Sequence, residues 1–129
     1  GFRYCAKPSR AERNAGLDGF DDVAVKQLNG LDSFTSVKRN IHPTVKPIAV
    51  MRWLITLVCP PGGTVLDPFL GSGTTGCAAV GVPNCGRFIG IEREPDYLAI
   101  AQARIAHWQG VAVEAACQPQ LQLLPGGQP

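Results

Sequence analysis

The sequence predicts an α/β fold built on a doubly wound parallel sheet, and three observations carry that prediction. Two short apolar runs, Thr64-Val65-Leu66-Asp67 and Arg87-Phe88-Ile89-Gly90-Ile91-Glu92, each end in a carboxylate. Segments with helical spacing of apolar residues stand before, between and after them. The joints are short and concentrate much of the chain's complement of 15 glycines and 11 prolines. Strands that alternate with helices through such turns pair in parallel, because a helical crossover returns the chain to the same end of the sheet. Ligands of these sheets bind beyond the carboxyl ends of the strands, where Asp67 and Glu92 lie.

Residues 1–40 show no sustained periodicity and are rich in Arg, Lys, Asp, Asn and Gly, so loops are expected there, with a short helix near Ala11 to Ala15. His42-Pro43-Thr44-Val45-Lys46-Pro47 follows, and Pro47 suits the first position of a helix, where its missing N–H is not needed. Ile48, Met51, Ile55 and Val58 continue at helical spacing, with Arg52 and Thr56 opposite, until Cys59-Pro60-Pro61-Gly62-Gly63 breaks the helix. The first strand then leads through Pro68-Phe69-Leu70-Gly71-Ser72-Gly73 into a small-residue helix, Thr74 to Val80. After the break at Gly81 to Gly86 and the second strand, Pro95 opens a helix whose Leu98, Ala101, Ile105 and Trp108 share one face. Val111 to Ala115 reads as a third strand, and Gln118 to Pro129 as a polar tail. The organisation expected is a basic, loop-rich segment at 1–40, an α/β unit at 41–117 and a flexible tail at 118–129.

Composition narrows the function. With 129 residues and 45% apolar positions the chain can bury one core, and no apolar run approaches the roughly 20 residues that span a bilayer. Five scattered cysteines, with no C-x-x-C pair and only two histidines, make a metal site unexpected; small buried thiols in a reducing cytoplasm are the simpler reading. The net charge of +2 conceals an asymmetry: residues 1–52 carry nine Lys/Arg against five Asp/Glu, and residues 53–129 three against five. A basic half is compatible with nucleic acid docking, since phosphate contacts need clustered cations.

The chemistry concentrates in Asp67 to Thr75. Gly71 and Gly73 permit a sharp turn and close approach to a ligand, and the helix beyond them begins with free N–H groups. Glu92 ends the next strand, 19 residues after Gly73, where nucleoside-binding α/β folds set a carboxylate against ribose hydroxyls. The loop is no P-loop, because Thr74 and Thr75 stand where a lysine would be needed. Asp67 at its mouth repels a pyrophosphate and favours an amino group. A nucleoside bearing an amino acid, such as S-adenosylmethionine, fits better than ATP or NAD.

His42-Pro43-Thr44-Val45-Lys46-Pro47, Asp67-Pro68-Phe69-Leu70-Gly71-Ser72-Gly73-Thr74-Thr75 and Gly90-Ile91-Glu92, in this order, resemble the C-terminal motifs of DNA methyltransferases that modify the exocyclic amino group of adenine (N6) or cytosine (N4). The order resembles the permuted subgroup, in which the catalytic half precedes the cofactor half, and the resemblance covers about Asn40 to Ile105. Lys7 to Leu17 also looks like segments found upstream in these enzymes. The resemblance implies a Rossmann-like sheet of the class I S-adenosylmethionine-dependent methyltransferases, incomplete in this chain. It implies a cofactor site made by Asp67, Pro68, Phe69, Gly71, Ser72, Gly73, Thr74 and Thr75, with Glu92 on the ribose, Thr44 and Lys46 near the methionine moiety, and His42 as a further site residue or a capping or packing residue. DNA is the implied partner, and a cytoplasmic setting in a bacterium, archaeon or phage is expected.

The family acts through a (D/N/S)-P-P-(Y/F/W) tetrapeptide that holds the target amino group and stacks the flipped base. The one Pro-Pro here, in Cys59-Pro60-Pro61-Gly62, has neither a polar first residue nor an aromatic last one, so no catalytic residue is assigned. The tetrapeptide is expected N-terminal to Gly1, in a missing half of the polypeptide or in a complementing chain. The alternatives are a cofactor-binding fragment without catalysis, an RNA or small-molecule methyltransferase, and, more distantly, a dinucleotide-dependent oxidoreductase.

Overall fold

The computed structural model describes residues 5–29 and 32–117. Its elements in order are α1 (Arg10–Asn14), β1 (Val23–Asn29), β2 (Asp32–Lys38), α2 (Ile48–Val58), β3 (Gly63–Asp67), α3 (Thr74–Val80), β4 (Cys85–Gly90) and α4 (Pro95–Cys117). β3 and β4 pair in parallel, with Val65 beside Phe88 and Asp67 beside Gly90, and α3 is their crossover. This is the βαβ unit of the expected α/β fold.

Helix α1 starts because the Ser9 hydroxyl accepts the Glu12 N–H at 3.1 Å, the N-cap interaction of an S-x-x-E box. The Glu12 carboxylate does not close the box. It accepts instead from the Ile48 N–H at 2.7 Å, satisfying a free donor at the start of α2 and tying the N-terminal segment to that helix. Pro47 lies one residue before α2, with a φ of −65°, rather than inside it. The core forms where α2, α3 and α4 meet: Ile48 and Ile55 are each 4% exposed, worth roughly 1.5–3 kcal/mol apiece. The small residues of α3 let it sit close to its neighbours; Gly76 backs onto Ile105 and Phe88 with no room for a side chain. Cys59 and Cys77 are buried free thiols, and burial pushes Cys77 up to about 11, far from a nucleophile.

Three expectations are corrected. Residues 23–38, read as loops, form an antiparallel hairpin, β1 with β2, in which Val23 pairs with Lys38 and Asn29 with Asp32. The signal was present: Gly30 between runs containing Val, Leu, Thr and Phe suits a short hairpin connection, and Asn29 belongs to the strand; residues 30 and 31 lie outside the described residues. Val111 to Ala115 is no strand; α4 runs through it to Cys117. Gly110 costs a helix only about 1 kcal/mol, no turn intervenes, and Val113 is exposed, so nothing draws this stretch into a sheet. On α2, Val58 is exposed at 78%, whereas Arg52, read as outward, is half-buried with its guanidinium 5.4 Å from the Trp108 ring centre. Apolar spacing located the helix, but an arginine with an aromatic face to lie on took a place beside the core. The expected tail at 118–129 lies outside the described residues.

One face of the parallel pair, carrying Val65 and Phe88, packs on the core. On the other face Leu66 is 59% and Ile89 42% exposed. Parallel sheets are ordinarily covered on both faces, so this side is uncovered in the described chain. Among the described residues no helix is long and apolar enough to cross a membrane.

Candidate functional site

Beyond Asp67, β3 gives way to a turn fixed by three backbone links. Ile91 N–H donates to Asp67 O at 2.9 Å, Leu70 N–H to Ile91 O at 2.9 Å, and Gly73 N–H to Leu70 O at 2.9 Å. The Asp67 carboxylate accepts the Phe69 N–H at 3.1 Å. Gly71 and Gly73 take φ of +54° and +76°, a region open to glycine at little cost. The close approach that they allow is to the protein itself: a Cβ on Gly73 would lie 2.9 Å from the Ala101 backbone of α4, and one on Gly71 2.7 Å from His42 Nε2. These glycines press the loop onto α4 and onto the segment before α2.

That segment, a strap without regular secondary structure, lies against the loop through His42. Val45, 7% exposed, anchors it, and its neighbours Thr44 and Lys46 are exposed. Asn40, fully buried, fixes the entry to the strap: its side chain donates to Arg13 O at 2.8 Å and accepts from the His42 N–H at 3.2 Å. The His42 ring lies edge-on to Tyr97, centroids 4.7 Å apart. Its Nδ1 lies 3.0 Å from Thr44 O and 3.3 Å from the Thr44 N, so it faces both an acceptor and a donor of the same residue, and Nε2 faces Gly71. Burial lowers the His42 pKa; the Thr44 carbonyl and Glu92 oppose this, and Lys46 and Arg13 reinforce it.

Together, strap and loop enclose a cavity of about 140 Å³ lined by His42, Thr44, Lys46, Asp67, Phe69, Gly71, Ser72, Thr74 and Thr75, with Met51 and Leu70 as further apolar walls. Two segments some twenty residues apart in sequence thus converge on one pocket with an ammonium, a carboxylate and several hydroxyls. Three of the expected residues are placed elsewhere. Pro68 is exposed at the turn, Gly73 faces α4, and Glu92 stands outside the cavity wall. Glu92 braces the loop: one carboxylate oxygen accepts the Gly71 N–H at 2.7 Å, and the other the N–H groups of Arg93 and Glu94 at 2.8 and 3.0 Å. These bonds, that from Glu94 foremost, lower its pKa. A carboxylate offers about four acceptor positions, so one stays open.

Sequence reasoning missed Met51, Leu70, Asn40 and, above all, Arg104, which is fully buried beneath the loop. A charged residue three positions after Ala101, on the apolar face of α4, was the available signal.

Comparisons with known proteins identify the family. A family model described as "DNA methylase", that of the N6/N4 methyltransferases, matches residues 5–103. The type II methyltransferase M.ScaI of Streptomyces caespitosus is 45% identical over 71 residues, 55% of this chain and 23% of that protein. The type II methyltransferase M2.DpnII of Streptococcus pneumoniae is 45% identical over 64 residues, 50% of this chain and 23% of that protein. Each aligned stretch thus spans less than a quarter of the relative's length. A crystal structure described as the M1.HpyAVI-SAM complex shares 34% identity, covers 63% of this chain and 44% of that one, and superposes with a TM-score of 0.45. With the family model matched over well more than half of its length, this chain belongs to the N6/N4 methyltransferase family of DNA methylases.

Proposed function

We propose that this chain is the S-adenosylmethionine-binding part of a DNA methyltransferase that modifies the exocyclic amino group of adenine or cytosine. The observation that carries the reading is the single cavity lined by both the His42–Lys46 strap and the Asp67–Thr75 loop. Pockets that swallow a whole drug-sized ligand run to about 300–1,000 Å³. At about 140 Å³ this one encloses only one end of such a molecule, and its chemistry suits an amino acid. Lys46 is the cation for the carboxylate, and Asp67 the anion for the ammonium. Phe69, which lines the cavity yet is 89% exposed, is left for the nucleoside together with Ile91 and the open acceptor position of Glu92, both outside the cavity wall.

When bound, the cofactor supplies a methyl group made electrophilic by its cationic sulfur. The residues of this chain grip the two charged groups of its amino-acid end and leave its methyl for an acceptor held elsewhere. The order of strap before loop supports the permuted subgroup, and the absence of the acceptor tetrapeptide supports a chain that binds without transferring by itself. We assign the acceptor site to a further part of the same polypeptide or to a complementing chain, and the uncovered face bearing Leu66 and Ile89 to contact with it. DNA is the substrate in this reading, met on the basic side of residues 1–40, and the cytoplasm is its compartment. Isothermal titration tests the proposal: S-adenosylmethionine or its demethylated product binds more tightly than ATP or NAD, and NAD binding as tightly would overturn it.

A further inference from the structure

Arg104 is the largest side chain that the structure buries completely. Its Nη1 donates to Ser72 O at 2.6 Å, to Ser72 Oγ at 3.2 Å and to Thr74 Oγ1 at 3.4 Å, and its Nη2 to Glu12 O at 3.4 Å. Among the described residues no carboxylate forms an ion pair with it, and its Nε has no partner. A cation buried without an ion pair is costly, and a brace for a turn could be built from neutral groups. The charge therefore calls for a reason beyond packing.

Counting donors supplies one. A guanidinium can only donate, whereas a hydroxyl has one hydrogen and two lone pairs. Nη1 has two hydrogens for three acceptors, one for Ser72 O and one shared between Ser72 Oγ and Thr74 Oγ1; since a guanidinium accepts nothing, both hydroxyl hydrogens must turn elsewhere. The two oxygens are 3.5 Å apart, so one hydrogen is taken up between them. The other is directed away from Arg104. Both residues line the cavity and are otherwise buried, at 3% and 6% exposure, so an acceptor for that hydrogen is a ligand oxygen in the cavity.

We propose that Arg104 is a positioning residue that turns the Ser72–Thr74 hydroxyl pair into a donor site for the carboxylate at the amino-acid end of the cofactor. The inference rests on the S-adenosylmethionine reading above and goes beyond it in naming a residue outside the cavity that sets its polarity. Lys46 meets the carboxylate from the strap side; Arg104, acting through two hydroxyls, prepares the loop side. The Glu12 link also makes α1 part of the same arrangement, since Glu12 reaches the start of α2 with its carboxylate and Arg104 with its carbonyl.

The test compares two ligands by titration against the full chain. S-adenosylhomocysteine carries the carboxylate, and methylthioadenosine keeps the nucleoside and thioether without the amino acid. Arg104→Met is expected to weaken S-adenosylhomocysteine about tenfold or more, as for a lost charge-assisted hydrogen-bond network, while methylthioadenosine changes by less than about threefold. Arg104→Lys, which keeps the charge and a donor, restores part of the difference. Thr74→Val removes one hydroxyl at nearly constant shape, is expected to shift the ratio in the same direction, and decides the matter if Arg104→Met fails to fold. Equal weakening of both ligands marks a plain structural brace and overturns the inference, as does an unchanged ratio in every variant. Wild-type chain that binds neither adenosyl ligand overturns the cofactor reading itself, and the inference with it.

Discussion

Replacing each loop glycine in turn by alanine separates two costs that the structure assigns differently. Both residues have positive φ, +54° at Gly71 and +76° at Gly73, and each alanine therefore incurs about 1–2 kcal/mol of backbone strain. The neighbours differ. At Gly73 the new methyl meets Ala101 Cα and Cβ at 2.9 Å and Ala101 O at 3.1 Å, atoms of a helix backbone that cannot turn aside. Forcing a methyl into such packing adds about 1–3 kcal/mol, so Gly73→Ala should cost about 2–5 kcal/mol, a large part of the roughly 5–15 kcal/mol that holds a typical domain. At Gly71 the methyl meets His42 Nε2 at 2.7 Å, the far side of a ring that can rotate. Gly71→Ala should then cost little beyond its backbone strain, but it displaces His42 in the cavity wall. Urea denaturation followed by circular dichroism gives the stabilities, and titration with S-adenosylhomocysteine the binding. The expected pattern is Gly73→Ala clearly the less stable, with Gly71→Ala folded and weakened in binding. Gly73→Ala as stable as Gly71→Ala would refute the claim that the loop is pressed onto the α4 backbone.

Asp67→Ala and Glu92→Ala should each weaken cofactor binding by about 1–3 kcal/mol, the cost of a lost charged hydrogen bond, and unchanged affinity in both by calorimetry would remove them from the site. Burial lowers the folded-state pKa of His42 below the ordinary 6.5, so the unfolded chain takes up its proton first as pH falls. The contribution of neutral His42 is complete above about pH 6.5 and is lost as pH drops from there toward the lowered folded value. Thermal melts from pH 7.5 to 5 should show that loss in the wild type and a flatter profile in His42→Gln; identical profiles would show that His42 does not titrate with folding. The isolated chain should transfer no tritiated methyl to DNA, and measurable transfer would mean that an acceptor site exists within these residues.

Elements set by local chemistry were readable from the sequence, and those set by distant partners were not. The breakers Cys59 to Gly63 and Gly81 to Gly86, with short apolar runs between them, leave little choice but strand, loop, helix, strand, and β3, α3 and β4 follow that order. The hairpin had a signal too, Gly30 between two runs of strand formers, but its strands mix apolar and polar residues without the clean alternation that marks a half-buried strand. α2 shows the limit of periodicity. Spacing found the helix, yet which face is covered depends on Trp108, fifty-six residues beyond Arg52, and Arg52 came to lie beside that ring while Val58 was left exposed.

The site divides along the same line. A motif names residues that meet a ligand, and the strap and loop residues do come together around one cavity. It does not name the residues that hold them there, because a support is recognised only by what it touches. Asn40 matters through Arg13 O and the His42 N–H, and Glu12 through a helix start thirty-six residues away. Glu92 shows that the two roles can fall on one side chain: chosen for a ribose, it is found holding the Gly71 N–H, with one acceptor position open. On the proposed cofactor reading, its replacement loosens the loop and removes a ribose contact at once. Asp67→Ala tests the proposed ammonium contact more cleanly, since among the described residues its carboxylate holds only the Phe69 N–H of its own turn. If the loop brace dominates at position 92, Glu92→Gln, whose amide oxygen can still accept from Gly71, should retain more affinity than Glu92→Ala.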